Sequence, residues 1–288
     1  MKTRRQFLQL SGMGLLASAV PDVWKTPFAS KRPGISVQLY TIREAIKLDI
    51  RASLQKLAAL GFKNVETAFW PDGISLAQAS AYLREFGLGV SSCHIEIPEG
   101  DKKQAMLDTA KAYGCTKMIW HGWPEDKRYS SLEGTRELIK IYKNASRFAK
   151  DNGLQFGLHN HWWEYRNKPG GTFVYEILNQ ELDKDIFFEV DTYWVKVAGH
   201  QPAKIMEQLG QRIKFLHIKD GPAVYKDNLA ADNPDPMTAV GKGTQDFPAI
   251  LKAAGNHPDW LVIEMDKTAT DVFEALAESL QYLKGIMQ

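Results

Sequence analysis

The run Phe215-Leu216-His217-Ile218-Lys219 places polar groups two residues apart, with Leu216 and Ile218 between them. Successive residues of a strand point to opposite faces, so His217 and Lys219 share one face and the two aliphatic residues share the other. The same alternation recurs in Leu158-His159-Asn160-His161, Phe188-Glu189-Val190-Asp191 and Ile263-Glu264-Met265-Asp266. Working outward, short β-branched runs predict strands at Ile35–Tyr40, Asn64–Ala68, Gly89–Ile95, Lys117–His121, Gln155–His161, Ile186–Asp191, Ile213–Lys219 and Trp260–Asp266. Helical patterns lie between them, at Asp49–Leu60, Leu76–Phe86, Lys102–Tyr113, Leu132–Asn152 and Thr270–Lys284. Gly61, Gly87, Gly114 and Gly153 stand where left-handed helix stops are expected. Eight strand–helix units predict an α/β fold, a (β/α)8 TIM barrel in a single domain spanning residues 31–288. A doubly wound open sheet is the rival, but no Gly-x-Gly-x-x-Gly follows a strand. The irregular stretch from Gly221 to Asp246 reads as a loop over the active face.

Composition sets the outer bounds. With 44% hydrophobic and 24% charged residues over 288 positions, the chain is globular rather than disordered. Cys93 and Cys115 are too few for a disulfide framework or a four-cysteine zinc site. No apolar run reaches the ~20 residues of a membrane helix, so no membrane span is expected in the mature form. Residues 1–30 read as a leader: Thr3-Arg4-Arg5-Gln6-Phe7-Leu8 is a twin arginine before an apolar stretch, and Ala17-Ser18-Ala19 offers a cleavage site. This predicts export to the periplasm or cell surface. Six of the 36 basic residues but one of the 34 acidic ones precede Pro33, leaving 30 basic against 33 acidic. A mildly acidic domain argues against a nucleic-acid partner.

Applying strand parity to every strand end collects Gln38, Tyr40, Glu66, Ser92, His94, His121, His159, His161, Glu189, Asp191, His217, Lys219, Glu264 and Asp266 on one face. Five of the seven histidines are in that set. Charged groups are seldom buried without partners, and barrel enzymes place their chemistry at the carboxyl ends of strands. Asp191, His217 and Glu264 close three successive strands, and His159 closes the one before. Mixed carboxylate and imidazole donors suit a divalent metal such as Mn²⁺, Co²⁺, Zn²⁺, Fe²⁺ or Mg²⁺ better than Ca²⁺.

The motifs Leu158-His159-Asn160-His161-Trp162-Trp163-Glu164, Glu189-Val190-Asp191-Thr192-Tyr193-Trp194, Leu216-His217-Ile218-Lys219-Asp220, Val240-Gly241-Lys242-Gly243-Thr244-Gln245-Asp246-Phe247 and Val262-Ile263-Glu264-Met265-Asp266 follow in order. Together they resemble the xylose isomerase-like TIM barrels known as sugar phosphate isomerases/epimerases, most closely a secreted branch with a His-Asn-His…Glu motif. The resemblance implies one divalent metal on Asp191, His217 and Glu264. The fourth ligand departs: ketose 3-epimerases carry a glutamate where this chain has His159, with Glu164 five residues further on. Symmetric two-carboxylate epimerisation is therefore not expected, and a one-base reaction fits better.

The implied activity is a metal-dependent isomerase, epimerase or carbon–oxygen lyase acting on a keto sugar or keto-glycoside. Proton abstraction α to a carbonyl builds an enediolate, whose charge a metal stabilises as a Lewis acid. Glu264 or Glu164 is the expected base, with His161 and Lys219 as acid and electrostatic groups. Gln38, Glu66, His94, His121 and Trp194 are the expected substrate contacts, and Trp120, Trp123, Trp162, Trp163 and Tyr193 add flat faces suited to sugar C–H surfaces. The alternatives are a non-catalytic periplasmic sugar-binding barrel and a metallonuclease of the abasic-site endonuclease kind. The partner is a small carbohydrate, and the oligomeric state is left open.

Overall fold

Every run read as β becomes a strand of one closed parallel barrel, in the order β1 to β8 with β8 returning to β1. The computed structural model describes residues 32–288, so the export-signal reading of residues 1–30 lies outside the described residues. The strands are β1 Gly34–Gln38, β2 Asn64–Thr67, β3 Gly89–Ile95, β4 Lys117–Trp120, β5 Gln155–His159, β6 Phe187–Asp191, β7 Ile213–Ile218 and β8 Trp260–Ile263. Most end one to three residues earlier than expected, because polar side chains turn the chain at the mouth. Gln38 accepts the N–H of Tyr40 through its own side chain. Asp191 accepts those of Tyr193 and Trp194 and so caps a helix at Thr192–Val197. Tyr40, His121, His161, Lys219, Glu264 and Asp266 consequently sit just past the ladder.

Parity sorts the barrel into two faces. Val37, Val65, Cys93, Met118, Leu158, Val190, Leu216, Ile218 and Ile263 pack outward into the helix layer and are buried. Inside, Ile119, Phe187, Phe215 and Val262 form a separate apolar floor. Gly157 makes that floor possible, since a Cβ there would stand 2.3 Å from the Phe187 ring. Above the floor the interior turns polar, and neighbouring strands pair like with like: Gln38 beside Glu66, His159 beside Glu189, Asp191 beside His217.

Capping side chains set several helix starts. Ser75 and Gln78 form a capping box before Leu76–Glu85, Ser131 accepts from Gly134 to open Leu132–Asp151, and Asp271 caps Val272–Ile286. All four predicted helix-stop glycines have positive φ.

The loop after β7 is pinned by one carboxylate. Asp220, fully buried, accepts the backbone N–H groups of Gly221, Gly241, Gly243 and Gln245 at 2.9–3.1 Å. A Cβ at Gly243 would collide with that carboxylate at 2.2 Å, which explains the glycine of the Gly241-Lys242-Gly243 turn. Hydrogen bonds to a charged group contribute about 1.5–3 kcal/mol each, and buried donors left unpaired cost more. Asp220→Ala is expected to lower unfolding free energy by roughly 3 kcal/mol or more. Urea denaturation measures that loss, and amide exchange at residues 241–245 should quicken.

Candidate metal and sugar site

A cavity of about 230 Å³ opens at the carboxyl ends of the strands. His94, His121, His159, His161, Lys219, Glu264 and Asp266 line it, Tyr40, Phe69 and Trp123 supply aromatic walls, and Ala231 and Asp232 of the long loop reach it. That loop thus lies against the active face, as the sequence suggests.

His217 is the hinge of the polar interior. Its Nδ1 lies 2.6 Å from Glu264 Oε2 and 4.0 Å from Asp191 Oδ2. Its Nε2 lies 2.7 Å from Glu66 Oε1 and 3.2 Å from Glu189 Oε2. Burial disfavours charge on this imidazole, but Glu189, Glu264 and Glu66 outweigh it and hold the ring protonated, well above the usual range. Glu264 is the mirror case: burial pushes its carboxyl up, and Lys219 and His217 bring it well below the usual range. His94 Nε2 stands 2.6 Å from Glu189 Oε2. Burial lowers its affinity for a proton, while Glu66 and Glu189 raise it further, to a net increase.

Three other imidazoles are held neutral. Burial, with the His217 charge, drops His159 to about 3. Burial and the His94 charge drop His121 to about 4, where its Nδ1 accepts the Trp123 N–H. Burial and neighbouring His159 take His161 well below the usual range. His161 stacks on Trp163 at 4.3 Å, and its Nδ1 has no hydrogen-bond partner.

Two overlapping donor sets could hold a metal ion among the described residues. Asp191, His217 and Glu264 bring one ligand atom each within 4.8 Å of one another. The other set is His94, His159, Glu189 and His217. His159 therefore groups with the second set, although its Nε2 is 3.9 Å from Asp191 Oδ2. The buried Asp191 Oδ2 takes no aligned hydrogen bond and faces the Lys219 ammonium at 3.0 Å, so the position already holds a positive charge.

The other expected site residues take varied places. His94 and His121 line the cavity, whereas Gln38 and Glu66 lie beneath it, Gln38 Nε2 donating to Glu66 Oε1 at 2.7 Å. Trp194 is buried with its ring 5.5 Å from Lys219 Nζ. Glu164 is not brought to the mouth. Its Oε2 accepts the His161 N–H at 2.9 Å, and it borders a separate small cavity of about 20 Å³ with Tyr129, Tyr142 and Tyr165. Asn160 bridges β5 and β6 by accepting the Asp191 N–H at 3.0 Å. The sequence reading passed over Glu189 and Asp266 as site residues, although each stands two positions from a predicted ligand on the same face. Phe69 carries a weaker signal, an aromatic residue just after a strand end, whereas Trp123, expected as a flat face for sugar, does line the cavity.

A closed (β/α)8 barrel with acids and imidazoles converging at its carboxyl mouth defines a TIM barrel with a metal-competent centre. The chain belongs to the xylose isomerase-like TIM barrel family, which matches residues 54–286. Among curated relatives, an inosose dehydratase of Clostridium beijerinckii is 24% identical over 178 residues, 56% of this chain and 57% of that protein. The alignment thus spans little more than half of the relative's length. A sugar phosphate isomerase/epimerase from Parabacteroides distasonis superposes with a TM-score of 0.74 at 21% identity, over 89% of this chain and 100% of its own. The IOLI protein with a bound zinc atom superposes at 0.65 with 15% identity, over 88% of this chain and 98% of its own.

Burial lifts the Glu164 carboxyl to about 8. The native state then holds a proton that the unfolded chain, near 4.5, releases. This group's contribution to stability is complete below the unfolded value and is lost as pH rises through about 8. Glu164→Gln keeps an oxygen for the His161 N–H without the charge. Between pH 5 and 8 wild type is expected to lose roughly 3 kcal/mol more stability than Glu164→Gln, read from denaturation midpoints at each pH.

Proposed function

We propose that this chain is a metal-dependent enzyme that removes the proton α to the carbonyl of a keto sugar or keto-glycoside, leading to isomerisation, epimerisation or loss of a β-oxygen substituent. The observation that carries this reading is the convergence of Asp191 Oδ2, His217 Nδ1 and Glu264 Oε2 beside a cavity lined by neutral imidazoles and aromatic rings. The donor set fits a divalent ion: two carboxylates and one imidazole, with a positive charge already held against Asp191 Oδ2 and Glu264 Oε2 by Lys219. The opposite nitrogen of His217 is oriented by Glu66 and Glu189, as metal-bound histidines are oriented by carboxylates. A divalent ion held there would offset negative charge developing on the substrate's carbonyl and neighbouring hydroxyl oxygens.

The remaining chemistry falls to side chains. Of the two carboxyls expected as bases, Glu264 faces the cavity, whereas Glu164 supports the His159-Asn160-His161 turn from outside it. Glu264 is ionised and takes the α-proton. His161, neutral and on the cavity wall, and Lys219, positively charged, face the substrate's oxygens. In elimination, the C–H electron pair becomes the new double bond as the β C–O bond breaks, and the departing oxygen takes a proton from the Lys219 ammonium, while neutral His161 serves as a hydrogen-bonding group. The inosose dehydratase relative supports the elimination branch, and the twin-arginine leader supports export and hence unphosphorylated substrates in the periplasm.

The direct test incubates the Mn²⁺-, Co²⁺- or Zn²⁺-loaded protein with a panel of keto sugars and keto-glycosides in D₂O. Deuterium entry at the α-carbon, seen by NMR, is the expected outcome; saturable binding with neither exchange nor product would make the chain a sugar-binding barrel instead. Glu264→Gln should slow exchange by 10²-fold or more, the range typical of a lost general base.

A further inference from the structure

Lys219 occupies an unexpected place for a residue of a metal site. Its Nζ lies 3.0 Å from Asp191 Oδ2 and 2.8 Å from Glu264 Oε2, two of the three donor atoms of the proposed centre, and 2.7 Å from Asp266 Oδ2. The lysine is 1% exposed, and Trp194 flanks its ammonium at 5.5 Å. Asp266 belongs to no ligand group among the described residues. It is the one carboxylate contact of the ammonium that a metal on Asp191, His217 and Glu264 would leave untouched.

We propose that Lys219 is a resident counter-ion that a metal must displace, and that Asp266 is the acid that retains the ammonium after displacement. A dication seated on Asp191 and Glu264 would stand a few ångströms from Nζ, and like charges so close in a buried site repel strongly. An ammonium on a four-carbon stem is mobile enough to give up two contacts and keep the third. In the metal-free protein, the same ammonium holds Asp191 and Glu264 together in their ligand arrangement and spares them unpaired burial. The exchange moves the ammonium with its proton, while an ion taking His217 Nδ1 would release that nitrogen's proton to solvent. Lys219 is thus a positioning residue for the metal, in addition to any contact with substrate.

This inference rests on the metal reading above, and binding rather than turnover tests it. Metal-stripped full-length protein is titrated with Mn²⁺ and, separately, Zn²⁺ by calorimetry, in wild type, Lys219→Met, Asp266→Asn and the double variant. Lys219→Met should bind at least tenfold more tightly, while its metal-free melting temperature falls and recovers on metal addition. Asp266→Asn should bind more weakly in the wild-type background but change little in the Lys219→Met background, because Asp266 acts through the ammonium. An equal loss in both backgrounds would show that Asp266 merely adds negative charge, and would overturn its retaining role. Lys219→Met binding no tighter than wild type would overturn the counter-ion role while leaving the proposed enzyme intact. Failure of all four proteins to bind either ion would remove both. Should Lys219→Met not fold without metal, refolding it in Mn²⁺ and measuring chelator-induced release gives the same comparison, and slower release than wild type is the expected result.

Discussion

The polar interior depends on one imidazole shared between two layers of carboxylates. His217 meets Glu264 through Nδ1 and Glu66 and Glu189 through Nε2, with no side-chain exposure. Each carboxylate taken from water costs several kcal/mol unless it is paired and hydrogen-bonded. A doubly protonated ring in the middle partners both layers at once. It also decides what the site can hold. A cation bound through Nδ1 leaves Nε2–H to Glu66 and Glu189, whereas one bound through Nε2 would leave Nδ1–H to Glu264. The two donor sets share this ring, and Lys219 pairs with acids of only the Asp191–His217–Glu264 set.

The scaffold makes such crowding tolerable. Below the charged layer, Ile119, Phe187, Phe215 and Val262 close the barrel, and the missing side chain at Gly157 is the room Phe187 occupies. Above it, Asp220 gathers four backbone N–H groups and fixes the loop that reaches the cavity. Asn160 ties β5 to β6 beside Asp191. The side chains that carry charge are thus held from below by packing and from the rim by hydrogen bonds.

Much of this was legible because strand parity is a local property. A polar residue at every second position survives as a lumen-facing side chain even where the ladder stops early, so His161, Lys219, Glu264 and Asp266 line the cavity although β5, β7 and β8 end before them. The fate of Glu164 was not legible. It lies beyond β5 in a one-turn helix at Trp163–Arg166, where period two no longer applies and tertiary packing aims the side chain. Lys219 was placed on the right face, yet its three carboxylate contacts come from β6 and from the segment after β8, a juxtaposition that only closure of the barrel creates.

His159 gives the site its asymmetry. A glutamate there, the residue expected of ketose 3-epimerases and from which this chain departs, would put a second carboxylate at the end of β5. The imidazole instead is held neutral by burial and by the charge on His217, and His161 beside it is neutral too. One wall of the cavity therefore offers an ionised carboxylate flanked by an ammonium, and the other offers uncharged imidazoles and aromatic faces. Proton removal from one face, followed by proton delivery to an oxygen rather than to the opposite face of the same carbon, is the chemistry such walls favour. Inverting a stereocentre would require the neutral wall to donate to carbon, for which an imidazole this hard to protonate is poorly suited. Loss of a β-oxygen substituent needs only a base for carbon and a proton for the leaving oxygen, the two roles proposed for Glu264 and Lys219, which stand 2.8 Å apart on one side of the cavity.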